Sequence, residues 1–358
     1  MKATLLIDPC ARRFSKAFVA ALVCVAGVVV LGAAGPVRAQ DPLLRFGGAI
    51  PVEVQSLYDR GLANLASTQN ADGSWACAEG VGPGVTGICV MALMASGEDP
   101  NFGRYAANIR RGVRAMVESQ DEKTGYLPSS MYHHGFAMLA LAEAYGAVDE
   151  GMLWEGKKAP RTISQCLDRA IRCAATAQKK SRLGAWRYSP DSTDADTSVA
   201  GAVLMGLMAA RNAGMDVPDE TVQLAMEYLR RSTSPDGSVA YSGGFAGMGG
   251  SMNLTAISVL LGAVTKTKDS DAYKASLGRL TENLEHRENY HPEYFAYYAA
   301  QALFQGDFAA WEKWNGAKIR ELQGSQNADG SFVSSGYQTG MALLALALNY
   351  RYLPVYER

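Results

Sequence analysis

This 358-residue chain has few of the residues that most often do chemistry or bind polyanions. It has only 4 histidines and 6 cysteines, and its net charge is −1. No block of lysine or arginine stands anywhere in it, and neutralising phosphate groups needs concentrated positive charge. The glycine-rich segment 243–250 lacks a following Lys-Ser or Lys-Thr pair, so it is not a phosphate-binding loop. We therefore predict no nucleic acid as a partner.

The N-terminal segment has the organisation of an export signal. Basic residues between 12 and 16 precede an apolar run over 17–35, and a small-x-small site at 37–39 would be cleaved to leave Gln40. We expect residues 1–39 to be a signal peptide and the protein to be periplasmic or extracellular. The alternative is an uncleaved helix that anchors the protein, because the run approaches the ~20 residues that span a membrane. Cleavage leaves 29 Lys and Arg against 34 Asp and Glu, a net charge of −5.

Four cysteines remain in the mature chain. Cys166 and Cys173 lie seven residues apart in a helical stretch, about 10 Å along its axis, which is too far for a disulfide. Cys77 and Cys89 could pair in an exported protein, but a chain of this length buries a large core without bridges. We expect all four to be small buried apolar residues.

A seven-residue phrase near both ends of the chain is its most informative feature. Residues 69–75 read Gln-Asn-Ala-Asp-Gly-Ser-Trp, and residues 326–332 repeat them with Phe in place of Trp. Weaker echoes begin at Gln120, Gln178 and Pro235, at a spacing of roughly fifty residues that is typical of repeat proteins. The Asp-Gly pair suits a tight turn, and the aromatic ring can pack over the next helix. We interpret the phrase as a structural turn that marks five of six repeats.

Each repeat combines an amphipathic helix with an apolar one. Residues 54–65 carry polar side chains on one face and leucines on the other, whereas residues 86–95 are apolar on nearly every face. A helix without a polar face must be buried on all sides. Six such pairs, covering residues 40–358 as a single domain, predict an all-α fold. This fold is an (α/α)6 toroid in which about twelve antiparallel helices form an inner and an outer ring.

The inner helices of such a toroid all run in the same direction, so their N-terminal residues converge at one mouth. Polar residues at this mouth make it the candidate site. Of the adjacent His133 and His134 only one can point inward on a regular helix, and we favour His134. We predict six ligand-binding residues there: His134, Asn253, His291, Tyr294, Tyr337 and Gln338. The alternative roles of these side chains are helix capping and packing.

The repeats resemble those of the terpene cyclase and protein prenyltransferase superfamily, particularly the squalene-hopene cyclases. The resemblance rests on the glutamine-to-aromatic turns between paired helices and spans roughly residues 50–350. It implies the α/α toroid more firmly than any reaction. Those cyclases protonate an alkene with an acid from an Asp-x-Asp-Asp-Thr-Ala motif, which residues 194–200 resemble with one aspartate missing. The resemblance implies Asp196 as general acid with Asp194 beside it, although an Asp before a long apolar helix also fits an N-cap.

The chain departs from both enzyme branches of this superfamily. Squalene-hopene cyclases have two helical barrels, and the mature chain has room for one. Prenyltransferase β subunits hold zinc through Asp, Cys and His, and no Asp-x-Cys pair precedes an inner helix here, so we predict no metal and no cofactor.

Two hypotheses follow from the sequence. The first is an exported toroid that binds an isoprenoid, a glycan or a protein at its mouth without chemistry. The second is a terpenoid cyclase-like enzyme that acts on an isoprenoid at a membrane surface. An enclosed, aromatic-lined cavity that reaches Asp196 would favour the enzyme.

Overall fold

The computed structural model describes residues 50–77, 80–154, 156, 158–243, 250–333 and 335–351. The predicted signal peptide and its cleavage site lie outside these residues. Six apolar helices form the inner ring: α2 (Pro83–Met94), α4 (Met131–Ala144), α7 (Thr197–Asn212), α9 (Met252–Val264), α11 (Pro292–Gly306) and α13 (Gly336–Leu346). Six amphipathic helices form the outer ring: α1 (Val52–Thr68), α3 (Ala106–Ser119), α6 (Ile163–Gln178), α8 (Asp219–Ser232), α10 (Asp271–Thr281) and α12 (Phe308–Ser325).

Three short elements complete the described structure. The helix α5 (Glu150–Leu153) lies between repeats two and three, and the turn of a 3-10 helix (Ala347–Asn349) follows α13. The strands β1 (Ala76–Cys77) and β2 (Gly80–Val81) form an antiparallel hairpin with Ala76 opposite Val81. In the described part of the chain no helix has the length and apolar character needed to cross a membrane.

The two rings differ in burial as the sequence predicts. Every residue of α2 is buried, whereas α3 buries only the face that carries Ile109, Val113 and Val117. Each inner helix packs against the next one in sequence, and α13 packs against α2, so that the ring closes. The predicted (α/α)6 toroid of twelve helices is thereby confirmed.

The repeated turns fasten neighbouring repeats through their glutamines. The Nε2 group of Gln120 donates to the carbonyl oxygen of Gly125 in its own turn at 2.9 Å and to that of Cys166 in α6 at 2.8 Å. Gln69 and Gln178 make the same pair of bonds to their own turn and to the next outer helix. Gln326 bonds the carbonyl of Leu57 in α1 and so joins the sixth repeat to the first.

The turn glycine meets two requirements at once. Gly330 has φ +86°, a left-handed conformation that favours glycine, and a Cβ atom there would lie 2.2 Å from the carbonyl oxygen of Arg60 in α1. Gly73 repeats this arrangement against Arg111, with a distance of 2.3 Å. The phrase therefore requires glycine both for the turn and for the close approach of the next outer helix.

Trp75 lies at the seam between the first and last repeats. Its ring is 1% exposed, and its Nε1 donates to the carbonyl of Leu65 at 2.8 Å. A Cβ atom on Gly336, the first residue of α13, would contact the Trp75 side chain at 3.0 Å. Its counterpart Phe332 is also buried. Both aromatic residues therefore pack inside the ring and not on its surface.

The described cysteine side chains are buried, as the sequence predicts. Cys166 and Cys173 are free thiols in α6, and burial raises the pKa of Cys166 to about 12 and that of Cys173 to about 11. The Sγ atom of Cys89 in α2 lies 3.3 Å from the carbonyl oxygen of Gly336. The side chain of Cys77 lies outside the described residues, so its predicted burial stays a prediction.

Candidate functional site

A cavity of about 680 Å³ opens at the mouth where the N-termini of the inner helices converge. All six repeats contribute to its wall, from Gly84 in the first to Tyr337 in the last. Of the six predicted ligand-binding residues, Asn253, His291, Tyr294 and Tyr337 line it. This volume lies within the range of small-molecule sites, roughly 300–1,000 Å³.

Aromatic rings form a continuous wall on one side of the cavity. The ring centroid of Tyr132 lies 5.8 Å from that of Tyr188 and 6.0 Å from that of Tyr294, and Tyr294 lies 6.4 Å from Phe136. The Tyr294 hydroxyl donates to the carbonyl of Ser198 at 3.2 Å. Burial raises the pKa of Tyr132 and of Tyr294 above the ordinary phenol range, so both stay neutral donors.

Two of the wall tyrosines occupy equivalent positions in successive repeats. Tyr188 and Tyr241 each stand four residues after the turn glycine, Gly184 or Gly237, and their hydroxyls bond each other at 2.8 Å. Their carbonyls also have equivalent partners, the first N–H of α4 for Tyr188 and the first N–H of α7 for Tyr241. The repeat thus places its fourth post-glycine residue at the mouth, and Ser129 occupies this position in repeat two.

The loop before α11 contributes three polar residues to the wall. It contains no Asp-Gly-Ser turn, and Glu288, Tyr290 and His291 all line the cavity. The backbone of His291 is left-handed, with φ +56°, and the Tyr290 ring is 80% exposed at the rim. Asn253 of α9 fastens this loop by donating its Nδ2 to the Tyr290 carbonyl at 3.2 Å.

Asp196 is the N-cap of α7 and is wholly buried. Its Oδ1 accepts hydrogen bonds from the backbone N–H groups of Ser198 at 2.9 Å and Val199 at 3.0 Å, and from the Ser198 hydroxyl at 2.5 Å. Its Oδ2 has no hydrogen-bond partner among the described residues. Burial raises the pKa of the Tyr241 hydroxyl, and the Asp196 carboxylate raises it further. Asp196 itself lies behind Ser198 and Tyr241 and does not line the cavity.

Two other predicted residues lie outside the cavity wall. Asp194 is half exposed and forms an ion pair with Arg187. Gln338 belongs to the cap of α13, where its Oε1 accepts from the Ser335 hydroxyl at 2.9 Å. Neither side chain lines the cavity, although Ser198 and Tyr337, which are near them in sequence, do.

The histidine that reaches the cavity is His133, whereas the sequence analysis favoured His134. His134 is fully buried; its Nδ1 accepts from the N–H of Leu127 at 3.1 Å, and its Nε2 lies 3.0 Å from the carbonyl of Ala170. Burial lowers the pKa of His134 to about 4, so it is a neutral bridge between turn and helix. Thr339 makes the same bond to Phe332, likewise seven residues earlier. The position of His134 in the repeat is therefore structural.

Buried aromatic side chains of the described residues lie directly below the cavity. Phe136 and Tyr294 close the floor, and Tyr297 and Tyr298, which are at most 1% exposed, pack beneath them with ring centroids 4.9 Å apart. The aromatic cluster that the sequence contains around residues 290–298 therefore divides between the cavity wall and the core. No group of three or more His, Cys, Asp or Glu side chains with metal-site geometry occurs among the residues described.

The fold is an α/α toroid with a cavity at the mouth formed by its inner-helix N-termini, and solved structures share this fold. The chain is similar to the type II terpene cyclase MstE from Scytonema, solved with its substrate geranylgeranyl dihydroxybenzoate, at 16% identity and a TM-score of 0.56. The match covers 87% of this chain and 99% of the cyclase chain. It is also similar to an α-1,6-mannanase of a Salegentibacter species, solved as an inactive variant with α-1,6-mannotriose, at 9% identity and a TM-score of 0.61. This second match covers 82% of this chain and 98% of the mannanase chain.

A protein from Actinoplanes has a third similar structure, at 17% identity and a TM-score of 0.53, covering 83% of this chain and 99% of that one. No protein-family model matches the sequence, and no curated protein matches it. At these identities the likeness concerns the fold, and the fold hosts enzymes that act on unlike substrates.

Proposed function

We propose that this protein binds a small ligand in the mouth cavity without transforming it. The observation that carries the proposal is the cavity of about 680 Å³, to which every repeat contributes at least one wall residue. Its wall combines aromatic faces, as in Tyr132 and Phe136, with hydroxyl and amide groups, as in Ser129 and Asn253. Such a wall suits a ligand with apolar faces and a few polar groups.

The absence of a reactive constellation at the wall supports binding over chemistry. Glu288 is the only carboxylate among the wall residues, and the two histidines there, His133 and His291, come from different repeats. The Nδ1 of His133 accepts a hydrogen bond from the N–H of Gly84 at 3.2 Å and is occupied by it. General acid and base work needs two groups placed around one reacting bond, and Asp194 and Asp196, the pair that the cyclase resemblance implies, do not line this wall.

A titration experiment tests the binding role. The purified mature protein is titrated by calorimetry with three probes: α-1,6-mannotriose, geranylgeraniol and choline. We expect at least one probe to bind, and its binding to be weakened in Asn253→Trp, because an indole at this wall position narrows the cavity and the bond to the Tyr290 carbonyl is lost. Tyr145 follows the C-terminal end of α4, on the face of the toroid opposite the mouth, which we call the far face. The variant Tyr145→Trp serves as the control and should bind as the parent does. The proposal fails if no probe binds, or if Asn253→Trp binds as well as the parent.

The second candidate function is a terpenoid cyclase with Asp196 as general acid. The observation that favours it is the buried carboxyl group of Asp196, whose Oδ1 is held by three hydrogen bonds while Oδ2 has no partner among the described residues. The chain spans nearly all of a type II terpene cyclase structure, so its single barrel is no argument against this chemistry. The position of the cavity counts against it, because the cavity stops short of Asp196.

Incubation of the mature protein with squalene and with prenyl diphosphates tests the cyclase function, with products detected by mass spectrometry. A cyclised product made by the parent and lost in Asp196→Asn would replace the binding proposal with the enzyme. The amide keeps the shape of the carboxyl group and part of the cap but cannot donate the acid proton.

Export also remains a proposal, carried by the basic, apolar and small-x-small order of residues 1–39. N-terminal sequencing of the protein from its native host is expected to begin at Gln40. An intact N-terminus would favour the anchored alternative.

A further inference from the structure

Resting on the proposed ligand-binding role, we propose that the ligand of the mouth cavity carries an alkylated ammonium group. The tyrosine wall would hold this cation, and the carboxylate of Glu288 would supply the opposite charge. The juxtaposition that leads to the proposal is an aromatic wall in the same cavity as a nearly buried carboxylate oxygen that accepts no hydrogen bond from the described residues.

The charged side chains of the described cavity wall favour a cation. Among the described wall residues Glu288 is the only Asp or Glu, and there is no lysine or arginine. The Nδ1 of His133 is occupied by the hydrogen bond that it accepts from the Gly84 N–H. A second carboxylate, that of Asp196, lies just behind the wall at Ser198. The field in the cavity therefore favours a cation.

Glu288 is held in a position that leaves part of its carboxylate unsatisfied. Its side chain is 11% exposed, and its Oε1 accepts from the N–H of Asn289 at 3.1 Å. Its Oε2 lies 3.6 Å from the Nε2 of His286, which is beyond hydrogen-bond reach, and has no hydrogen-bond partner among the described residues. A nearly buried carboxylate oxygen without a donor is costly, and a cation in the cavity offsets this cost by its charge.

The wall rings have the chemistry that recognises a quaternary ammonium group. Such a cation is attracted to aromatic faces within about 6 Å of the ring centroid. Tyr188, Tyr132 and Tyr294 follow one another at centroid distances of 5.8 and 6.0 Å, and Tyr290 stands at the rim. A single cation can therefore contact more than one ring. Alkyl groups on the nitrogen match this wall better than a hydrated primary amine does.

The converging helix N-termini do not turn the cavity into an anion site. Side-chain oxygens of Ser130, Asp196 and Ser335 cap α4, α7 and α13. Helices α2 and α11 begin at prolines, which have no N–H group to offer. Each of these caps occupies one or two N–H groups of a first turn, and each proline removes one, which weakens the attraction of these helix N-termini for an anion.

A pair of isosteric probes separates charge from shape. Choline and 3,3-dimethylbutan-1-ol differ by the exchange of the cationic nitrogen for carbon, and each is titrated into the purified mature protein by calorimetry. We expect choline to bind at least tenfold more tightly. Equal affinities, or tighter binding of the alcohol, would overturn the cation proposal and leave ligand binding intact. Binding of α-1,6-mannotriose or geranylgeraniol without choline would do the same, whereas no binding by any probe would remove both proposals.

Two substitutions test whether Glu288 and Tyr290 of the cavity wall cause the preference for choline. Glu288→Gln should weaken choline binding severalfold and leave dimethylbutanol unchanged, while Glu285→Gln, an exposed position in the same loop, should change neither. Tyr290→Leu should weaken choline more than dimethylbutanol, with Tyr145→Leu on the far face as its control. If Glu288→Gln binds choline as the parent does, the proposed role of the carboxylate is wrong.

A free cation and the headgroup of phosphatidylcholine share this ammonium chemistry. Co-sedimentation with phosphatidylcholine vesicles, compared with phosphatidylglycerol vesicles, separates the two sources. Because the cavity is ringed by loops from six repeats, we expect free choline to bind and neither vesicle to pull the protein down. Selective sedimentation with phosphatidylcholine that choline competes away would instead identify the headgroup as the source of the cation.

Discussion

The turn of the sixth repeat and the loop of the fifth repeat join the same two kinds of helix at the same end of the toroid. The turn at 326–332 bonds its glutamine to α1, packs its glycine on Arg60 and buries its aromatic residue Phe332. The loop at 282–291 has no such phrase and instead places Glu288, Tyr290 and His291 at the cavity. The turn of the sixth repeat thus fastens the ring, whereas the loop of the fifth repeat supplies three residues of the cavity wall.

The fourth repeat has part of the repeated phrase, whereas the sixth has all of it and the fifth has none. It keeps the turn Asp236-Gly237-Ser238, but Thr233 occupies the position of the glutamine. The hydroxyl of Ser276 in α10 bonds the Gly237 carbonyl at 3.2 Å and so fulfils part of the glutamine's role. Its loop also delivers Tyr241 to the cavity wall. A repeat that keeps most of the turn can therefore also contribute to the wall, as repeats two and three do through Ser129 and Tyr188.

The largest expected effect tests the buried turn aromatic. Trp75→Ala removes a ring that packs at the seam of the ring closure, and truncating a buried aromatic costs about 3–5 kcal/mol. Thermal unfolding measured by circular dichroism should therefore show a sharp fall in Tm. A variant that melts with the parent would mean that the turns do not hold the ring together.

Two glycine substitutions test how much the contact between the turn glycine and the next outer helix contributes to stability. Gly330→Ala forces a left-handed alanine and a clash with the Arg60 carbonyl, for a combined cost of about 2–5 kcal/mol. Gly146→Ala has nearly the same φ, +81°, but nothing within 4 Å, so it should cost about 1–2 kcal/mol. Urea unfolding of both variants gives the difference. Equal costs would show that contact with the next outer helix contributes nothing.

The glutamine bonds are tested by a repeat-matched pair. Gln120→Ala leaves the carbonyls of Gly125 and Cys166 without their donor, at a cost of about 2–4 kcal/mol. At the equivalent position of the fourth repeat, the Thr233 hydroxyl bonds only the carbonyl of Leu229 in its own helix, so Thr233→Ala should cost less than 1 kcal/mol by roughly the same reasoning. Comparable losses in urea unfolding would contradict the fastening role of the glutamine.

Acid should weaken the turns and spare the fifth-repeat loop. Hydrogen bonds from neighbouring serine or threonine groups lower the pKa of the turn carboxyls Asp72, Asp121, Asp236 and Asp329. A carboxyl whose pKa is lower in the folded state stabilises the fold above the unfolded pKa, and this stabilisation is lost as the pH falls below it. Tm should therefore decline below the ordinary aspartate value of 3.8. The decline should be shallower when all four aspartates are replaced by asparagine.

The smallest effect is expected in the loop that builds the site. The Tyr290 ring is 80% exposed, so Tyr290→Ala should change the free energy of unfolding by no more than about 0.5 kcal/mol. Urea unfolding provides the measurement. A large loss would mean that the rim ring belongs to the core and would remove the contrast between turn and loop.

The fold was predictable because its determinants repeat along the chain. The apolar pattern of α2 and the amphipathic pattern of α3 distinguish inner from outer helices. The phrase at 69–75 recurs, in full or in part, at the turns between outer and inner helices. The wall residues Asn253, His291, Tyr294 and Tyr337 followed from the convergence of the inner-helix N-termini.

The remaining wall residues depended on signals that lie outside the helices. Tyr188 and Tyr241 are found by counting four residues from the turn glycine, and a comparison of repeats would have identified them. The sequence did not show which of His133 and His134 faces the cavity. The structure shows it through the bond between His134 and the Leu127 N–H, which is equivalent to the bond between Thr339 and the Phe332 N–H in the sixth repeat. Glu288 lies in a loop without a repeat equivalent, so no pattern in the sequence singles it out.

Closure of the ring changes how this repeat protein can come apart. An open solenoid has end repeats with one neighbour each, and these fray first. Here α13 packs against α2, and Gln326 bonds α1, so each of the six repeats has a neighbour on both sides. Detaching any one of them exposes two apolar inner-helix faces at once. We therefore expect the six repeats of this toroid to unfold together in one cooperative transition, although each is a separate unit of sequence.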